Sequence, residues 1–301
     1  MRKKLLTLFI ALLLAVNNFI YIKAEGYGDF VNPVKKEMTR VDKGDYAFLM
    51  EHKENEMTGV FKDKSLVVLE VDGLLTSAIG RSYNNIQLSP FMTLLVSGAV
   101  YFNNYFLGSA SKNPDDITLS TLYSIMPNQK YPGFKQIYNK DIKGLQNYFK
   151  NAGYTTIAQR NLEYGEEYVN YLTLGFDKVN INEKDGNTAV LKSLQKKIEE
   201  PGKKFIYAET LPFENPMTAF KGGALEEEKT LFVQKIRELD NSLKDFISNF
   251  KNSSKAKDTI LLIVGKNNVY NYLANKEKTV ETVLTKEKKL AEVNCCLLYT
   301  S

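Results

Sequence analysis

The chain has 301 residues, 44% of them hydrophobic and 25% charged, which is the balance of a globular protein and excludes a disordered or collagen-like chain. One His and two adjacent Cys exclude a multi-histidine metal site, a CxxC zinc site and a disulfide framework. The formal charge of +5 is concentrated at Arg2, Lys3, Lys4 and Lys23, so the rest is nearly neutral and no nucleic-acid partner is expected.

Residues 1–4 are basic, 5–16 form a continuous apolar run, and Ile22-Lys23-Ala24 is a cleavage triplet before Glu25. Residues 1–24 therefore read as a secretory signal peptide, with an uncleaved membrane anchor over 5–22 as the alternative. Either places the remainder outside the cytoplasm, as a secreted, periplasmic or membrane-anchored cell-envelope protein. An exported chain without structural disulfides fits a bacterium.

Residues 25–64 form a polar lead-in. A β-branched apolar run over 65–71 predicts a buried parallel strand, closed by Asp72-Gly73. Ser89 as N-cap and Pro90 at N1 predict a helix to about Gly98. A strand follows over 99–106, then a helix from Asn113 to about Met126 with Asp115 and Asp116 in its first turn. Helices are predicted over 141–152, 188–199 and 226–250, and strands over 154–158, 204–208 and 259–264. The longest helix carries Phe232, Ile236, Leu239, Leu243, Phe246 and Phe250 on one stripe. Residues 65–293 read as one α/β domain: a doubly wound, mainly parallel sheet with helices on both faces. A Lys/Glu-rich helix over 275–290 precedes a doubtful tail at 294–301, as if the chain were truncated at its C-terminus. Cys295 and Cys296 carry no expected function. Ligands in such sheets bind beyond the strand C-terminal ends, which singles out 72–73, 108–116, 159–167, 209–213 and 265–270.

Several segments resemble one family. They are 58–72, Ser89-Pro-Phe-Met-Thr-Leu-Leu95, Tyr101-Phe-Asn-Asn-Tyr105, 119–127, Gly153-Tyr-Thr-Thr156, Leu174-Gly-Phe-Asp-Lys178 and 259–265. In order and spacing they resemble the extracellular domain of lipoteichoic-acid synthases and related phosphoglycerol transferases, within the sulfatase and alkaline-phosphatase superfamily. The resemblance implies a sulfatase-like fold. It also implies a divalent metal, Mn or Mg, held by an acidic residue after the first strand, a Thr nucleophile and a late Asp-His pair. The metal would lower the nucleophile's pKa and neutralise phosphate charge.

At the matching positions the sequence departs from that plan. Asp72 stands at the first acidic position as a remnant ligand, with Asp116 as a further candidate. Ser111 and Lys112 fall at the nucleophile position, and Lys266-Asn267 replaces the Asp-His pair. The single His, His52, lies upstream of the first strand. The resemblance therefore implies a degenerate metal site, with no cofactor expected. Lys112, Arg160, Lys266 and Asn267 are candidate anion contacts, or ordinary surface charges. Tyr164, Tyr168 and Tyr171 offer a sugar-stacking face, or a plain helix stripe. Lys266 is also expected to pair with Asp72, replacing the metal by an ion pair.

The leading functional expectation is a non-catalytic cell-envelope binding or scaffold protein, a pseudoenzyme. Its partner would be an anionic envelope glycopolymer or an active family member, with membrane contact only through the N-terminal segment. One alternative is an active metal-dependent phosphoglycerol transferase, or a phosphate or sulfate ester hydrolase, built on Asp72, Ser111 and Asp116. Another is a structural subunit without a ligand.

Overall fold

The apolar runs bounded by turns become the central strands, and the computed structural model places them side by side. It describes residues 59, 61–74, 78–105, 114–125, 134, 137, 142–161, 174–182, 185–213, 226–266 and 294–299. The chain divides into two compact units, Met1–Lys62 and Asp63–Ser301, and the described helices and strands lie in the second.

The strands are β1 (Ser65–Val71), β2 (Ser82–Tyr83), β3 (Ile86–Gln87), β4 (Val100–Tyr105), β5 (Thr155–Arg160), β6 (Lys178–Ile181), β7 (Lys204–Glu209), β8 (Thr259–Gly265) and β9 (Asn294–Tyr299). The helices are α1 (Pro90–Gly98), α2 (Pro114–Tyr123), α3 (Leu145–Asn151), α4 (Asn187–Glu199) and α5 (Glu226–Asn252). One sheet has the order β4-β9-β8-β1-β7-β5-β6, and β2 pairs with β3 in a hairpin. From β8 to β6 all pairings are parallel, while β9 runs antiparallel to both β8 and β4. The expected doubly wound, mainly parallel architecture is present.

Period-2 alternation sorts each strand between two helical layers. Val67, Leu69 and Val71 of β1 join one core with Met92 of α1, Leu191 and Leu194 of α4, and Leu239 and Leu243 of α5. All six residues of the predicted α5 stripe are buried. Each such side chain contributes about 1.5–3 kcal/mol on leaving water. On the other face Phe149 of α3 stacks on Phe205 of β7, with ring centroids 4.7 Å apart.

Four details differ from expectation. Ser89 occupies the N-cap position of α1, but its Oγ donates to Ala78 O at 2.7 Å. The exposed α1 amides are met instead by Asp240 of α5: Phe91 N and Met92 N each donate to its carboxylate at 2.9 Å. The β2–β3 hairpin turns on Asn84 and Asn85, with φ of 47° and 63°, the left-handed pair of a type I′ turn. Short, polar β6 follows the family-like Leu174–Lys178 segment at the sheet edge. The segment expected to be a doubtful tail instead supplies β9, whose Cys296, Leu297 and Leu298 pair with Val264, Ile263 and Leu262.

Candidate functional site

Parallel strands deliver their last residues to one edge, and here those residues are charged. Glu70 ends β1 one residue before its close, Arg160 ends β5, Glu209 ends β7, and Lys266 follows β8. Glu70 and Glu209 are register partners on adjacent strands. Glu70, Arg160 and Glu209 share the strand face opposite the Val67–Leu69–Val71 core, and they are 0%, 3% and 1% exposed.

The charges compensate one another. Lys266 Nζ donates to Glu209 Oε2 at 2.5 Å, and Arg160 Nε lies 3.2 Å from Glu209 Oε1. The Asn161 amide also donates to Glu209 Oε1. Burial pushes the Glu209 carboxyl up, but Arg160, Lys266 and the Asn161 amide outweigh it and hold the group below its ordinary value. Glu70 accepts from Thr121 Oγ1 at 3.1 Å through Oε1. Its Oε2 accepts no hydrogen bond among the described residues and lies 3.9 Å from both Lys266 Nζ and Arg160 Nη1. Thr118 of α2 knits the group together, accepting from Arg160 Nη1 at 2.9 Å and from Tyr207 Oη at 3.0 Å. The Arg160 guanidinium lies over the Tyr207 ring, 5.2 Å from its centroid.

Asp72 sits at the rim. Its Oδ2 accepts the Phe213 amide at 3.0 Å, and its own amide donates to Thr210 Oγ1 at 2.9 Å. Burial raises its carboxyl above the ordinary value, against the Phe213 amide and the positive charge of Lys266. The expected Lys266–Asp72 ion pair is not what forms. Lys266 reaches past Asp72 to Glu209, whose carboxylate is the more deeply buried and has more to gain from a cation. Asp116 is fully buried at the start of α2. Burial raises the Asp115 carboxyl, opposed by the charges of Arg160 and Lys266. Asp72, Asp115, Arg160, Glu209 and Lys266 thus gather from four of the strand-end segments singled out in the sequence and the start of α2. Arg160 and Lys266 are ion-paired within the cluster rather than presented to solvent. Ser111, Lys112, Asn267 and the three tyrosines lie outside the described residues.

A divalent metal needs several anionic or imidazole donors turned to one point. Among the described residues no group of three or more His, Cys, Asp or Glu meets that need. Of the carboxylates at this edge, the two most enclosed by cations, Glu70 and Glu209, already face an ammonium and a guanidinium. The described residues therefore do not fit a metal centre. Beside the cluster lies an open cleft of about 720 Å³. Asn161, Asn182 and Phe213 line one wall, and Lys235, Glu238 and Asp245 of α5 the other. Asn182 connects the two regions by donating to Glu209 O and Asn161 Oδ1, each at 2.8 Å.

The chain superimposes on the lipoteichoic acid synthase LtaP from Listeria monocytogenes with a TM-score of 0.63 and 15% identity, covering 80% of this chain and 66% of that one. The fold is that of the sulfatase and alkaline-phosphatase superfamily. The chain is also similar in fold to the C-terminal periplasmic domain of EcEptC from Escherichia coli, solved in complex with Zn. There the TM-score is 0.56 at 17% identity, covering 79% of this chain and 73% of that one. In sequence it is 20% identical over 269 residues to the lipoteichoic acid synthase of Staphylococcus saprophyticus, covering 79% of this chain. It spans 41% of that protein's length. No protein-family model matches the chain. The resemblance drawn from the sequence motifs is the one these comparisons return.

Glu70 is the site residue that sequence reasoning missed, and Glu209 was marked only through its segment, 209–213, without a role of its own. Glu70 lies inside the apolar β1 run, and Glu209 lies one residue beyond the predicted end of β7. The available signal was an ionisable residue near the C-terminal end of each of three strands.

Proposed function

We propose that this sulfatase-like domain is a non-catalytic, extracytoplasmic protein of the cell envelope, acting as a scaffold for an active phosphoglycerol transferase of similar fold. The observation that carries the reading is the Lys266–Glu209 contact of 2.5 Å. An ammonium at the end of β8 neutralises the strand-end carboxylates, and a divalent cation entering there would meet that charge at contact range. The extracytoplasmic location is supported by the apolar segment at 5–16 and by the periplasmic origin of the EcEptC domain.

Of the two expected partners, an anionic glycopolymer is disfavoured at this edge. Arg160 and Lys266 already serve buried carboxylates, and the adjoining cleft bears Asp185, Glu238 and Asp245 against Lys235. A protein partner needs no anion site.

The test is metal content and metal-dependent thermal shift of the purified chain with Mn²⁺ and Mg²⁺, alongside hydrolysis of bis(p-nitrophenyl) phosphate. The expected result is no stoichiometric metal, no shift and no turnover. Stoichiometric metal, with a shift lost in Asp72→Ala, would overturn the proposal in favour of an active phosphoester enzyme.

A further inference from the structure

The two edges of the sheet differ in charge. At the C-terminal edge Arg160 and Lys266 are absorbed by Glu70 and Glu209, and Asp72 and Asp116 add further carboxyl groups. At the opposite edge the parallel strands begin, and lysines gather. Lys255 and Lys257 precede β8, Lys64 precedes β1, Lys203 precedes β7 and Lys204 opens it, and Lys178 opens β6. Helix C-termini return to the same edge, so Lys150 of α3 and Lys251 of α5 join them.

Lys204 is buried, 3% exposed, with its ammonium turned to the Glu200 and Gly202 carbonyls, and the other lysines surround it. Lys64 Nζ donates to the Lys257 carbonyl. Lys203 lies 5.2 Å from the centre of the Tyr154 ring. Burial holds Lys204 below its ordinary value; Glu200 opposes this, and the nearby charges of Lys255 and Lys178 add to it. Carboxylates on this edge are few. Asp63 pairs with Lys203 at 2.7 Å, Asp177 pairs with Lys150 at 2.6 Å, and Asp258 stands beside Lys257. Glu199 and Glu200 follow Lys196 and Lys197 at the end of α4. The balance remains positive.

We infer that this lysine-rich edge is a contact surface for an anionic lipid bilayer. Three observations favour a bilayer over a soluble polyanion. The lysines are spread along a row from β8 to β6 rather than gathered in a groove. With strands about 4.8 Å apart that row is about 19 Å wide, which suits a plane better than a single polymer strand. The chain also enters the unit at this edge, at Asp63, following the segment that carries the apolar run at 5–16. Each lysine near an anionic surface strengthens the contact by about fivefold at moderate ionic strength. The inference does not depend on whether the strand-end cluster is catalytic.

The test uses the full chain reconstituted in phosphatidylcholine vesicles with or without 30% phosphatidylglycerol. Lysine acylation by an amine-reactive ester is read residue by residue by mass spectrometry. The expected result is several-fold protection of Lys178, Lys203, Lys255 and Lys257 with phosphatidylglycerol. That protection is abolished at 0.5 M NaCl, while Lys192 and Lys244 label equally in both vesicles. Charge-reversal variants Lys203→Glu and Lys257→Glu should each weaken protection of the remaining lysines. Equal labelling in the two vesicle types would overturn the inference. So would protection by soluble polyphosphate without protection by phosphatidylglycerol, which would assign the edge to a polymer.

Discussion

Lys266 reaches across the end of β1 to Glu209 on β7, placing Nζ 2.5 Å from Oε2. The carboxylate it meets is 1% exposed, and Arg160 approaches its other oxygen at 3.2 Å. Removing the ammonium leaves that buried anion short of one cation. Lys266→Met is therefore expected to lower stability by on the order of 3 kcal/mol, and Lys266→Met with Glu209→Gln to recover most of the loss. Urea denaturation at pH 7 measures both. A double variant no more stable than the single one would assign the loss to packing of the lysine stem instead.

The same pair sets an acid limit. Glu209 is held below its ordinary value of 4.5, so the unfolded chain takes up its proton first as pH falls. The stability it contributes is complete above pH 4.5 and is lost as pH drops from there through the folded value. Denaturation midpoints between pH 7 and pH 3 should show a fall that Glu209→Gln flattens.

Asp72 has the opposite sign. Its carboxyl is raised above 3.8, so the folded state holds the proton more tightly, and stability is lost as pH rises from 3.8 through the folded value. Asp72→Asn keeps an acceptor for the Phe213 amide and removes the buried charge. It should be neutral or slightly stabilising at pH 7, by up to about 1 kcal/mol, with the difference vanishing near pH 3. A clear loss at pH 7 would show that the ionised carboxylate matters to the site.

Asp240 caps α1 from another helix. Asp240→Ala strands the Phe91 and Met92 amides and should cost about 1–2 kcal/mol, whereas Asp240→Asn should retain part of that. Thermal denaturation of both variants, with Ser89→Ala beside them, separates the two devices. Ser89→Ala should cost about 1 kcal/mol through its lost bond to Ala78 O.

Gly73 follows Asp72 with φ 85°, and a Cβ there would collide with the Phe213 ring. Gly73→Ala should lose about 1–2 kcal/mol from the backbone conformation and more from the clash. Adding Phe213→Ala should relieve the clash alone, so the Gly73→Ala penalty should be smaller in that background.

The fold was legible where a segment's own pattern decides its structure. The apolar run of β1, the stripe of α5 and the Pro90 start of α1 are local signals, and each element formed where its residues placed it. Elements that depend on distant partners were not legible. β6 is polar and lies at an edge, so it lacks the apolar run that marks a buried strand. The Cys296–Leu298 run of β9 was visible but had no local reason to enter the sheet. At the site, Asp72, Arg160 and Lys266 were singled out by position, yet the pairing was not. Which cation meets which carboxylate depends on strand order, and nothing in the spacing of residues 70, 160, 209 and 266 orders those strands.

The position of β1 also sets the order of assembly. It is the first long strand made, but Leu66 pairs with Phe205 on one side and Ile260 on the other. Both neighbours lie in the last third of the chain. Closing loops of that length comes before any reward from strand pairing, so the sheet should form slowly and late, with a high contact order. A chain built this way can form its β2–β3 hairpin and its β5–β6 pair early, but closes the centre of its sheet only once β7 and β8 are free to meet β1.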